Sequence, residues 1–324
     1  ETGYERSLSK LAKMLEDGDG VEQNLEEACR YYKMAADRGN IFSMNHYASF
    51  LMTGNGVKMD RNEALRYYKM SADEGDVHGM NQYVSLLAES DKKEALKYLK
   101  MAVLRGDKNA MIKYRKIIED SNEPDIGSDD IKILNDLGKK FYYGNGIEIN
   151  HKEAILFFQV AAEKRDANAM YSYAWMLDNG EGVLVNKEKA FTYYKMAADN
   201  GNVSAMKNLA WMAFCGDGVE TKFDVALKYY KMAADSGDFS AALKYASIIE
   251  KSDKNEALKY YKLAADNGDI DAMYLYARKV LTADKSNVNN VALNFLKLAV
   301  QKGNVNALNF FVSLIDDGYE IGLN

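Results

Sequence analysis

Tyr31-Tyr32-Lys33-Met34-Ala35-Ala36-Asp37 recurs letter for letter as Tyr193 to Asp199 and as Tyr229 to Asp235. Tyr67 to Asp73 and Tyr260 to Asp266 each differ from it at a single position. A glycine follows these copies and sets the period. Gly39 to Gly75 and Gly201 to Gly237 are 36 residues apart, Gly75 to Gly106 and Gly237 to Gly268 are 31, and Gly268 to Gly303 is 35. Arg165 holds the glycine place one period before Gly201. Periods in the thirties with alternating helical patterns indicate stacked helix pairs. Such a chain has no single core. It has a series of nearest-neighbour interfaces and a long surface.

The composition fits this reading. The chain has 324 residues, of which 48% are hydrophobic, and Pro124 is its only proline, as expected of a mostly helical protein with short connections. No apolar run approaches the roughly 18 residues of a membrane span, so no membrane insertion is expected. The net charge of −6 argues against nucleic acid as a partner. Cys29 and Cys215 lie in different helix types, about five periods apart, so no disulfide framework is expected. Glu1-Thr2-Gly3 reads as a vector-derived scar left by signal cleavage and is set outside the fold. It points to a secreted or secretory-pathway protein, whereas the unpaired cysteines also fit the cytoplasm.

One repeat, Ser43 to Asp76, can be read residue by residue. Met44, Tyr47, Ala48, Phe50 and Leu51 are apolar at helical spacing and predict a first helix, A. Gly54-Asn55-Gly56-Val57 breaks it. Asp60 and Glu63 predict a capping box that starts a second helix, B. The box recurs as Asn24/Glu27, Asp91/Glu94, Asn150/Glu153 and Asp253/Glu256. Gly75 predicts a left-handed end to helix B, and Asp76 a cap for the next helix A. Small residues recur at one position of helix A (Ala48, Gly138, Ala174, Ala210, Ala246, Ala277) and at one position of helix B (Ala28, Ala64, Ala95, Ala154 onward). They let helices approach to about 8 Å.

G-x-G-V, then Ala, an aromatic pair and K-x-A-A-x-x-G, repeated in fixed phase over nearly all of residues 8 to 318, resembles the Sel-1-like repeat, a relative of the tetratricopeptide repeat. The resemblance implies an all-α, right-handed α/α superhelical solenoid used as an adaptor or scaffold, with a concave groove lined by the A helices. Some bacterial relatives carry a disulfide in each repeat, a pattern this chain lacks.

The pattern breaks in four places. The repeats with helix A at Met80 and at Ala242 lack the G-x-G-V loop. After the helix A of Met111 to Ile118, in which Arg115 takes the small-residue position, no helix B follows but a polar, turn-forming run to Ser128. This divides the chain into sub-arrays 4–120 and 129–324 with a joint at 120–129, either a rigid insertion or a hinge. At Gly318-Tyr319-Glu320-Ile321 the final repeat is incomplete.

Little in the sequence speaks of chemistry. His46, His78 and His151 are scattered, with no H-E-x-x-H or C-x-x-C, and the G-x-G-V loops lack the Lys-Ser/Thr of a phosphate-binding loop. No catalytic residue, metal or cofactor is expected. The chain has two tryptophans, Trp175 and Trp211, 36 residues apart at one position of helix A. At 100° per residue that position points away from the core. Elsewhere it holds Ser49, Ser85, Lys116, Lys139, Ser247, Arg278 and Ser313. The expectation is an aromatic platform of Trp175 and Trp211, bordered by Tyr171, Lys207 and Asn208, with Asn45, Asn81, Lys244, Tyr274 and Arg278 on the same wedge. Its occupant would be a protein or peptide. An extracellular glycan stacked on the tryptophans is the alternative.

Overall fold

A computed structural model describes residues 3–87, 91–120, 127–283 and 289–317. The chain forms two compact units, Glu1–Gly127 and Ser128–Asn324. The first holds α1 (Gly3–Asp17), α2 (Leu25–Ala36), α3 (Ile41–Thr53), α4 (Arg61–Asp73), α5 (Val77–Leu87), α6 (Lys92–Leu104) and α7 (Lys108–Glu119). The second holds α8 (Ser128–Tyr143), α9 (His151–Glu163), α10 (Ala167–Asn179), α11 (Lys187–Asp199), α12 (Val203–Cys215) and α13 (Phe223–Asp235). It continues with α14 (Phe239–Ile249), α15 (Lys254–Asp266), α16 (Ile270–Ala283), α17 (Asn290–Gln301) and α18 (Val305–Asp316). Within each unit, every helix packs on the next in sequence, so the architecture is an α/α solenoid. Gly3 opens α1 and is not outside the fold. The expected joint falls largely on 121–126, and the incomplete last repeat on 318–324, both outside the described residues.

The B-to-A connections are uniform because each closes the same way. Asn40 N–H donates to the Ala35 carbonyl at 3.1 Å and Gly39 N–H to Ala36 at 2.9 Å, with Gly39 at φ +92°. This is the Schellman arrangement, which needs a left-handed residue. Arg165 takes that conformation too, at φ +70°, alone among the described non-glycine residues. The A-to-B loops are glycine-dependent for a second reason. A Cβ on Gly56 would lie 2.3 Å from the Leu25 carbonyl oxygen, and one on Gly182 would lie 2.4 Å from that of His151. Each loop therefore rests directly on the start of the preceding helix B.

The capping box forms by half. Asn24, Asp60, Asp91, Asn150 and Asp253 each accept the N–H three residues on, at 2.9–3.1 Å. The reciprocal bond does not form in the Asp60 repeat, where the cap's own N–H donates to the Leu51 carbonyl of helix A at 3.0 Å. Asn24 N–H does the same with Leu15, and Asn150 N–H with Phe141. The freed glutamates reach across to the preceding repeat: Lys33–Glu63 at 3.2 Å, Lys69–Glu94 at 2.6 Å and Lys231–Glu256 at 2.5 Å.

The rest of the repeated heptapeptide is also a set of joints. The first tyrosine donates backward to the final aspartate of the previous copy: Tyr98 to Asp73 at 2.5 Å, Tyr229 to Asp199 at 2.5 Å, Tyr260 to Asp235 at 2.6 Å, and Tyr67 to Asp37. The second tyrosine bonds an acid ending the helix A of its own repeat: Tyr32 to Glu16 at 2.6 Å and Tyr261 to Glu250 at 3.0 Å. Burial first, then the neighbouring carboxylates, push the phenols of Tyr32, Tyr67, Tyr98, Tyr260 and Tyr261 far up, and that of Tyr229 to about 12. The small residues of both helix positions are buried, and the A-helix aromatic meets the B-helix aromatic edge-on, as in Tyr47–Tyr67 and Tyr245–Tyr260.

Candidate functional site

A cleft of about 560 Å³ opens on the A-helix side of the second unit, where α8, α10 and the start of α12 meet. Its aromatic lining is Tyr142 and Tyr143 from α8, Phe158 from α9, and Tyr171 and Trp175 from α10. Trp175 is half-buried and stands edge-on to Tyr142, their ring centroids 5.9 Å apart. Tyr142 stacks on His151 at 4.8 Å and meets Tyr143 edge-on at 4.8 Å. Tyr143 is 65% exposed. Tyr171 lies 5.9 Å from Tyr194, and its phenol is pushed up by burial. That of Tyr142 is pushed up by burial and by a hydrogen bond to Glu181.

Trp211 lies one repeat further on and does not line this cleft. It is 49% exposed, and the Lys244 ammonium stands 5.8 Å from its ring centroid. No ring contact joins the two indoles, so they do not form one continuous platform. They share a repeat position, but each takes its neighbours from adjacent repeats: Tyr142 for Trp175 and Lys244 for Trp211.

The remaining expected residues divide by what already holds them. Asn45 donates to Asp76 at 2.9 Å, Asn81 to Asp107 at 3.3 Å, and Lys207 pairs with Asp238 at 2.9 Å. All three occupy one repeat position and tie helix A to the cap of the next helix A. Asn45 and Asn81 belong to the first unit. Asn208 donates to the Tyr194 hydroxyl at 3.1 Å. Tyr171 shares the position of Lys207 but meets the Tyr194 ring at a tilt instead of bonding a cap, and Asn202 turns to Asn168 at 3.0 Å. Tyr274 and Arg278 pair with each other, the guanidinium 5.2 Å from the ring and donating to the hydroxyl at 3.0 Å.

Tyr142, Tyr143 and Glu181 were not expected at the site. The signal for the two tyrosines was an aromatic pair before Gly144, where other A helices end in Met52-Thr53, Asp178-Asn179 and Phe214-Cys215. Among the described residues no group of three or more His, Cys, Asp or Glu is placed to hold a metal, and no helix is long and apolar enough to cross a membrane. Cys29 and Cys215 are unpaired thiols, and burial pushes that of Cys29 up to about 11.

The family model described as Sel1 repeat matches residues 6–40, 41–76, 85–107, 134–166, 167–202, 203–238 and 242–269, well over half of the chain. The chain belongs to the Sel1 repeat family. Sel1 repeat proteins generally mediate protein–protein interaction. The Sel1 matches stop at 269, yet α16 and α17 keep the same edge-on pair, here Tyr276 and Phe295 at 5.7 Å. Among solved structures, the chain is similar to a protective antigen of uropathogenic Escherichia coli displaying an SLR fold. That pair shares 21% identity over 97% of this chain and 65% of that one, with a TM-score of 0.51. The Sel1 array described here thus spans about two-thirds of that antigen's length. A Sel1 repeat protein of Oxalobacter formigenes shares 22% identity over 87% of this chain and 77% of that one, with a TM-score of 0.43. Among curated proteins no match was found.

Proposed function

We propose that this chain is a non-catalytic scaffold that binds a protein or peptide partner along the A helices of the second unit. Tyr171 and Trp175 form the centre of the contact, Trp211 extends it, and Lys244, Tyr274 and Arg278 lie beyond. The observation that carries this reading is the cleft of α8, α10 and α12. Aromatic side chains line it, and one of them, Tyr143, stands exposed at its rim, which is the character of an interface anchor. A glycan would stack best on two indole faces set side by side. The indoles share no ring contact and Lys244 stands over Trp211, so the peptide reading is the stronger.

The test is the double variant Trp175→Ser/Trp211→Ser, using the residue commonest at that position. Interface truncations of this kind cost about 2 kcal/mol or more each, or about thirtyfold in Kd. The variant is expected to melt with the wild type and to lose the partners that the wild type retains in a pull-down. Full retention would move the site elsewhere on the array. Unfolding would make the tryptophans structural. Glycan-array binding by the wild type that is lost in the double variant, with no protein captured by either, would support the carbohydrate reading.

A further inference from the structure

The repeat symmetry of the chain shows what a tryptophan at this helix-A position takes on its ring. Trp211 is nine residues past the cap Asn202, and the group standing over it comes from the next helix A: Lys244, six residues past the cap Asp238. The separation of 5.8 Å is within the range of a cation–π contact. Trp175 is likewise nine residues past its cap Asp166, and the residue equivalent to Lys244 is Asn208. Asn208 is neutral and is committed to the Tyr194 hydroxyl. The ring of Trp175 therefore has no cation from its own chain at the place where Trp211 has one. In its place lies the open cleft with Tyr142, Tyr143 and Tyr171.

The charges around the cleft favour the same occupant. Glu181 lies beside the Tyr142 phenol, and its Oε2 is buried without a hydrogen-bond partner, 3.8 Å from His151 Nδ1. Of the two nearby lysines, Lys139 lines the cleft and pairs with the exposed Asp136 at 3.2 Å, and Lys207 is drawn to Asp238 at 2.9 Å. Aromatic faces carry a negative quadrupole, so the rings that line the cleft, with an acid behind one of them, attract a cation.

We infer that the Trp175 cleft receives a cationic side chain, a lysine or arginine of the partner, in the role that Lys244 fills on Trp211. This rests on the scaffold reading above and gives it a sequence requirement: the bound segment carries a basic residue at its anchor.

Two tryptophans give two indole N–H signals in a ¹⁵N-correlated NMR spectrum, assigned with Trp175→Phe and Trp211→Phe. The probes are N-acetyl-arginine amide and its neutral isostere, N-acetyl-citrulline amide. The Trp175 signal is expected to move on titration with the arginine probe and to stay still with citrulline, while Trp211 responds to neither. In Lys244→Ala the ring of Trp211 is vacated, and its signal is expected to gain the arginine response. Equal movement with citrulline, or no movement of Trp175 up to the solubility limit, overturns the inference. If the probes fail but the double serine variant loses its protein partner, the scaffold reading stands and the cationic anchor falls. If the arginine probe moves Trp175 but the double variant keeps its partner, the cation site stands and the partner binds elsewhere.

Discussion

Tyr260→Phe removes one hydroxyl and keeps the ring. In the structure that hydroxyl donates to Asp235 Oδ1 at 2.6 Å, and it joins the repeat of α15 to that of α13. A hydrogen bond to a charged group contributes about 1.5–3 kcal/mol. Asp235 is solvent-exposed, so water takes up part of the lost bond and the expected cost is about 1–2 kcal/mol. For a unit of this size that lowers Tm by about 2–8 °C. The single variant also changes the solvation of the phenol, and Asp235 near the end of α13 opposes the helix dipole. A double-mutant cycle with Asp235→Ala removes both complications. Urea unfolding followed by circular dichroism should give a coupling energy of about 1 kcal/mol. A coupling below about 0.3 kcal/mol, the scatter of independent sites, would refute the claim that the tyrosine–aspartate bond holds successive repeats together.

The same phenols set the alkaline limit. Their folded pKa values are raised, that of Tyr229 to about 12, above the unfolded value of about 10. Their contribution is complete below pH 10 and is lost as pH rises through the folded values, so melts should hold steady from pH 7 to 9 and fall steeply above 10, less steeply in Tyr229→Phe. Arg165→Gly relieves a left-handed backbone and should stabilise by about 0.5–1 kcal/mol, whereas a lower Tm would show that the arginine side chain contributes more than its backbone costs. Ala210→Leu, at a fully buried position, should cost about 1–3 kcal/mol, and an unchanged melt would show that the A-helix contact is looser than the structure places it.

The heptapeptide period, the small residues and the glycine caps made the helices legible in sequence, because each of these is a local or single-helix constraint. The partners of Glu63, Glu94 and Glu256 were not legible. A capping box predicts that the glutamate turns back to its own cap, but the Asp60 N–H is already held by Leu51 of helix A, a tertiary bond that no spacing announces. The tryptophans show the same limit. Their shared repeat position gave their direction, since it follows from helix geometry alone. What stands over each ring depends on Tyr142 in one repeat and Lys244 in another, and these residues break the repeat. Asn45, Asn81 and Lys207 look free on a helical wheel because the cap they bond belongs to the next repeat.

The copies Tyr67 to Asp73 and Tyr229 to Asp235 each carry both halves of a coupling: a hydroxyl directed toward the copy before and a carboxylate offered to the copy after. Such a unit has a polarity but no address. Either of these copies can follow the other, so its duplication or loss by recombination leaves a matched joint on either side. The array can then change its reach by whole repeats without a compensating mutation, while its A-helix residues diverge one repeat at a time.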